Sequence, residues 1–178
     1  MKPELLKETV QRAEELGVER SSRMLSRALA VVAFVDKEVI DRRIQLLHNL
    51  GFSKDDVLAV VRKQPLVLGL SEQKIQGNVD FLTKDVGLEL SYIVRRPVLL
   101  MYSVERRLLP RHCLLKVLRE KGLVKGKPDC FGTASIGEKI FVEKYVRPFK
   151  NHVPGLTDDY ASKCWRKAMD GIRSQKTD

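Results

Sequence analysis

The sequence holds little of what a catalytic, secreted or membrane-spanning chain needs. It has only 3 cysteines in 178 residues, Cys113, Cys130 and Cys164, with no C-x-x-C pair. An odd count at such wide spacing fits reduced thiols and not a disulfide framework. His112 and Cys113 are adjacent, and neighbouring helical residues point about 100° apart, so they are poor joint metal ligands. The three histidines, His48, His112 and His152, lie far apart with no nucleophile at a matching spacing. The phosphate loop G-x-x-x-x-G-K-[ST], the dinucleotide fingerprint G-x-G-x-x-G and the nucleophile elbow G-x-S-x-G are all missing. The expectation is a chain with no enzymatic activity, no catalytic residues, no metal and no cofactor.

Long apolar runs are missing too. The longest, Ala28 to Val35, ends at Asp36 and falls well short of the ~20 residues that span a bilayer. No membrane partner is expected. The N-terminus, MKPELLKETVQRAEEL, is acidic and amphipathic, unlike a secretory signal or a transit peptide. Aromatics make up 6%, thin for an all-β domain. With Gly at 11 and Pro at 7, collagen and low-complexity chains are excluded. A hydrophobic content of 43% is too high for wholesale disorder. The length suggests one domain or one repeat array.

What is present is positive charge, unevenly placed. The net charge is +10, and residues 1–90 carry as many acids as bases, so the whole excess lies in residues 91–178. Such asymmetry points to an anionic partner, most often nucleic acid or an anionic membrane face. The acid pairs Asp55-Asp56 and Asp158-Asp159 follow Ser53 and Thr157, where acids complement the first turn of a helix. They read as structural.

The second positive feature is an internal repeat. GFSKDDVLAVVRKQPLVLGLS starts at Gly51, and GLELSYIVRRPVLLMYS starts at Gly87. Each runs from glycine through a short amphipathic helix, a basic pair and a proline to an apolar stretch closed by serine. Arg62-Lys63 precede Pro65, and Arg95-Arg96 precede Pro97. Longer helices precede the glycines, with apolar stripes Ile40, Ile44, Leu47, Leu50 and Ile75, Val79, Leu82, Val86 at helical spacing. Leu5, Leu6, Val10, Ala13 and Leu16 form a like stripe before Gly17, as do Leu108, Leu115 and Leu118 before Gly122. The four glycines, Gly17, Gly51, Gly87 and Gly122, stand where a left-handed residue ends a helix. Ser53, Ser71, Ser91 and Ser103 are expected N-caps. Each proline ends the second helix, and the short apolar stretch after it reads as a 3₁₀ turn plugging the repeat.

The predicted fold is therefore all-α, a curved solenoid whose unit is two α-helices plus a short 3₁₀ helix. It is expected as a single helical-repeat domain over 1–178, with repeats at roughly 1–36, 37–71, 72–103 and 104–135. GKPDCFGTASIG, after Lys125, is expected to be a loop. Two further helices, Ile136–Phe149 and Thr157–Ser174, are expected within 136–178, with Trp165 in the core.

The repeat blocks resemble the mitochondrial transcription termination factor (MTERF) family, particularly its plant members. The resemblance rests on GFSKDDVLAVVRKQP (51–65), RRPVLLMYSVERRLLPR (95–111), KGL (121–123), and KYV with VPGL (144–156). It implies a left-handed superhelix of three-helix repeats with a basic concave face, residing in a mitochondrion or chloroplast. It further implies duplex-DNA binding in transcription regulation or termination, or, as in some plant members, RNA binding in intron splicing or maturation. Members carry more repeats and a targeting segment than are read here, so a smaller footprint is expected.

The residues expected to carry binding are Arg62, Lys63, Arg95, Arg96, Arg106, Arg107, Arg111, Lys116 and Arg119. Lys and Arg contact phosphates without reading sequence, and Arg adds bidentate base contacts. For Arg62/Lys63 and Arg95/Arg96, complementing the helix dipole is an equal explanation. It fails for Arg106, Arg107 and Arg111, near a helix start, although one of these could brace the fold by pairing with an acid. Few aromatics accompany the basic region, namely Tyr92, Tyr102 and Phe131. Single-strand recognition favours stacking, so duplex DNA is the favoured partner, bound by a monomer. RNA, or a protein-interaction scaffold, is the alternative.

Overall fold

A computed structural model describes residues 3–162. Those residues are helical and loop, with no strand among them. The chain divides into two compact units, residues 1–101 and 102–178.

The first unit contains α1 (Pro3–Glu15), α2 (Leu25–Phe34), α3 (Lys37–Asn49) and α4 (Lys54–Lys63). A 3₁₀ turn follows at Pro65–Gly69, then α5 (Glu72–Asp80), α6 (Leu90–Arg95) and a second 3₁₀ turn at Pro97–Met101. The expected order of helix, glycine turn, helix, proline and 3₁₀ turn is thus present twice. Local chemistry explains the boundaries. Ser53 accepts from the Asp56 N–H at 3.1 Å while its own N–H donates to the Asp56 carboxylate at 3.0 Å, a reciprocal capping box. Ser71 accepts from the Lys74 N–H at 3.2 Å. Gly51 ends α3 at φ 99°, in the left-handed region that Cβ-bearing residues avoid. The N–H groups of Gly51 and Phe52 return to the His48 and Leu47 carbonyls, using acceptors that the helix end leaves open.

Ser91 departs from expectation. The N-cap of α6 is Glu89, and Ser91 lies inside the helix with its hydroxyl 3.4 Å from the Glu89 carboxylate. The helix starts two positions earlier after Gly87 than a cap at Ser91 would allow. The stripe of α1 also departs from expectation, since Leu5 and Leu6 are 53% and 47% exposed.

Packing follows the repeat. α4 lies on α6, α3 on α5, and the first 3₁₀ turn on the second. Val67, Leu68, Leu99 and Leu100, the plug residues after the prolines, are fully buried. Each contributes roughly 2 kcal/mol of apolar burial. α5 continues into a widened π turn at Phe81–Asp85.

The second unit opens with a π turn at Val104–Leu108, capped by Ser103, which accepts from the Arg106 N–H at 3.2 Å. This turn runs directly into α7 (Leu109–Glu120). Next come α8 (Cys130–Ser135), α9 (Glu138–Phe141), a π turn at Val142–Val146, a 3₁₀ turn at Arg147–Phe149 and α10 (Leu156–Ser162). The expected loop after Lys125 therefore contains a helix. Asp129 caps α8 by accepting from the Gly132 N–H at 2.7 Å, a side-chain cap in a stretch whose glycines suggest a loop. The helix expected at Ile136–Phe149 starts at Glu138, with Gly137 as N-cap. Trp165, and the expected helix beyond Ser162, lie outside the described residues. The core of this unit joins Leu114, Leu118, Phe141, Val146, Leu156 and Tyr160.

Candidate nucleic-acid interface

In the first unit the expected cations stand at the ends of the second helices. Aligning Pro65 with Pro97 makes Lys63 equivalent to Arg95 and Gln64 equivalent to Arg96. Both Gln64 and Arg96 are C-caps, with φ of −149° and −132°. The two basic pairs are therefore offset by one residue. Arg62 falls opposite buried Val94, and buried Gln64 opposite exposed Arg96. Only Lys63 and Arg95 repeat a cation at one position.

Each of these groups has a local tie. Arg62 Nε donates to the Gly17 carbonyl at 2.9 Å, and Lys63 Nζ donates to the Val94 carbonyl at 3.2 Å. Both satisfy carbonyls at helix ends. Arg95 stands 5.8 Å from the centroid of the Tyr92 ring, within cation–π range. Arg62, Lys63, Arg95 and Arg96 are all exposed.

In the second unit Arg106 is exposed. Arg107 is half-buried, its guanidinium 4.9 Å from the Tyr102 ring and donating to the Ile136 carbonyl at 3.2 Å. Lys116 is half-buried and reaches Glu120 at 4.0 Å, while Arg119 is exposed. At 1.5 Å per residue, Arg106 and Arg119 stand about 20 Å apart along their helical run.

Arg111 is a correction. Its side chain is 2% exposed. It donates to the carbonyls of Thr133, Ala134 and Ile136 at 2.8, 3.2 and 2.8 Å, and to the Glu138 carboxylate at 2.8 Å. It also stands 4.5 Å over the Phe141 ring. A guanidinium so enclosed caps the C-terminus of α8 and has no face left for a phosphate. Of the three arginines around the start of α7, this is the one that braces the fold against an acid.

Arg111 belongs to a structural series that sequence reasoning missed. Arg12 donates to the Val32 carbonyl at 2.8 Å, Arg43 to the Leu70 carbonyl at 2.6 Å, and Asn78 to the Leu99 carbonyl at 3.1 Å. In each case a polar side chain on the long first helix reaches a carbonyl of a later short element: the end of α2 for Arg12, the 3₁₀ turns for Arg43 and Asn78, and the end of α8 for Arg111. The donors, Arg12, Arg43, Asn78 and Arg111, recur every 31 to 35 residues. That period was the available signal, masked because one member is asparagine. Sequence reasoning also passed over the exposed Lys121, Lys125, Lys127, Lys139, Lys144, Arg147 and Lys150.

The electrostatic contrast is between paired and unpaired cations. Arg20 pairs with Glu14, Arg43 with Glu72, Lys84 with Asp80, and Arg147 with Glu143. The Arg20 guanidinium holds the Glu14 carboxyl below the usual range, and Lys84 with Gln76 does the same for Asp80. Arg62, Lys63, Arg95, Arg106, Arg107 and Arg119 have no carboxylate within ion-pair distance among the described residues. No grouping of His, Cys, Asp and Glu able to hold a metal occurs among the described residues, and none of their helices is long and apolar enough to cross a membrane. His48 Nδ1 instead meets the Phe52 carbonyl at 3.0 Å across the Gly51 turn.

Glycine-turned helix pairs closed by 3₁₀ plugs, carrying exposed cations without acid partners, define an all-α helical-repeat protein with a basic surface. The mTERF family model matches residues 1–133, and the chain belongs to that family. It is 28% identical over 102 residues to "Transcription termination factor MTEF18, mitochondrial" of Arabidopsis thaliana, covering 57% of this chain and 18% of that protein. It is 25% identical over 107 residues to "Transcription termination factor MTERF15, mitochondrial" of the same plant, covering 60% of this chain and 24% of the relative. A third relative, "Transcription termination factor MTERF8, chloroplastic", also from Arabidopsis thaliana, is 24% identical over 98 residues, covering 55% and 20%. The chain thus spans under a quarter of the length of these relatives.

Proposed function

We propose that this chain is a nucleic-acid-binding regulator without enzymatic activity, acting in a mitochondrion or chloroplast and binding duplex DNA in transcription termination. The carrying observation is the set of exposed or half-buried cations, Arg62, Lys63, Arg95, Arg106, Arg107 and Arg119, that have no acid partner among the described residues. Cations arranged without intramolecular acids suit an external polyanion, whose condensed counterions are released on binding. The names of the relatives add termination and organellar location to this reading. The tyrosines nearest the basic residues favour a duplex over a single strand. Tyr92 and Tyr102 lie under Arg95 and Arg107, so neither ring offers both faces to a base.

The test is fluorescence anisotropy of the 178-residue chain with a labelled mixed-sequence duplex, against single-stranded RNA of the same sequence, over a range of KCl. Duplex binding is expected with a steep negative salt slope. It should weaken at least tenfold in a variant carrying Arg95→Glu, Arg106→Glu and Arg119→Glu. Unchanged binding by a folded variant refutes the reading. A stronger response to RNA moves the function to transcript processing.

A further inference from the structure

We infer that the loop following α7 forms a second seat for backbone phosphates, distinct from the cations of the repeat ends. Its residues lie wholly in the second unit. Lys116, Arg119, Glu120, Val124, Gly126 and Lys127 line an open depression of about 540 Å³, and exposed Lys121 and Lys125 flank these lining residues in the chain. Five cations thus occur between positions 116 and 127, against one acid at the depression, Glu120. That acid is itself engaged by Lys116 at 4.0 Å. Arg119, Lys121 and Lys125 have no acid partner among the described residues.

A second observation is independent of charge. The N–H groups of Val124, Lys125 and Gly126 make no hydrogen bond among the described residues. Val124 and Gly126 themselves line the depression. Gly126 holds φ 70°, and a Cβ there would meet nothing within 4 Å, so its backbone is open to a ligand's close approach. Amides that the fold does not use, beside a left-handed glycine, can donate to an anion seated in the depression, with Arg119 and the lysines as charged donors beside them. By contrast, the earlier residues of this loop are committed. The Gly122 and Leu123 amides close the end of α7 on the Arg119 and Leu118 carbonyls. The free amides begin where that closure ends.

A sugar–phosphate backbone presents anions at fixed spacing and accepts both kinds of donor without regard to sequence. The loop is therefore a positioning contact that adds affinity and salt sensitivity to the duplex binding proposed above, on which this inference rests. The experiment compares the chain with a variant carrying Lys121→Gln and Lys125→Gln, both exposed sites, using the labelled mixed-sequence duplex. Circular dichroism and thermal melting should be unchanged. The slope of log K against log[KCl] should become shallower by about 0.9 for each lost contact, with several-fold weaker binding at 150 mM KCl. A second variant, Gly126→Pro, cannot hold a positive φ and should weaken binding with all charges kept. If both variants keep the parent's affinity and slope while an Arg95→Glu/Arg106→Glu variant, which leaves the loop intact, weakens binding, the loop seat is overturned and the general reading stands. If neither set changes binding, both are overturned.

Discussion

Arg107 and Arg111, four residues apart, donate to the same carbonyl, that of Ile136, at 3.2 and 2.8 Å. They do so from opposite environments. Arg107 is half-buried over Tyr102, whereas Arg111 is enclosed between α8, Glu138 and Phe141. Two arginines that a charge map treats alike thus have different duties, and the difference is measurable.

Replacing Arg111 by alanine leaves the Thr133, Ala134 and Ile136 carbonyls without their common donor. Hydrogen bonds to a charged group are worth about 1.5–3 kcal/mol each, and the net loss expected is about 3 kcal/mol in urea unfolding. Glu138→Gln should cost less than Arg111→Ala, because the Glu138 side chain is 60% exposed and the three carbonyls still accept from Arg111. A destabilisation by Glu138→Gln equal to that of Arg111→Ala would show that the ion pair dominates and not the carbonyl cap.

The serine caps are separable. Ser53→Ala and Ser103→Ala should each lower stability by about 1 kcal/mol, because each hydroxyl accepts from an otherwise open helix N–H. Ser91→Ala should change stability by less than about 0.5 kcal/mol, since α6 is entered at Glu89. Equal losses at all three positions would contradict the assigned caps.

Two of the turn glycines differ in what surrounds them. Gly122 and Gly17 both hold positive φ, at 68° and 86°. A Cβ at Gly122 meets open space, but one at Gly17 runs into the Leu58 side chain. Gly122→Ala should cost about 1–2 kcal/mol for the left-handed backbone. Gly17→Ala should cost more, with part of the excess recovered in a Gly17→Ala/Leu58→Ala double variant. The comparison is made by thermal melting.

Burial, and secondly the Asp129 carboxylate, push the Cys130 thiol up to about 11. The unfolded chain therefore loses this proton first. The stability this thiol contributes is complete below its ordinary value of 9.0 and is lost as pH rises from there toward 11. In the folded protein at pH 8, iodoacetamide should modify Cys130 far more slowly than free glutathione, and urea should remove the difference. Peptide-resolved mass spectrometry reads the rate. Fast labelling of the folded chain would contradict the assigned environment.

The sequence by itself determined what short-range chemistry controls. The four glycine turns, the two proline-started 3₁₀ plugs, the caps at Ser53, Ser71 and Ser103 and the all-α class all follow from φ preferences, a missing N–H or a hydroxyl three residues from its donor. Each signal and its consequence lie within one turn of chain. The charge asymmetry likewise needed no coordinates. Tertiary structure alone decided which cations are available. Arg111 is internal because residues 133–138, more than twenty positions away, bring three carbonyls and a carboxylate to it. Lys125 has no acid partner among the described residues because none of their acids folds within ion-pair reach of it. Burial and pairing are sums over neighbours distant in the chain. A residue's charge is therefore written in the sequence, and its freedom to meet a phosphate is set by the fold.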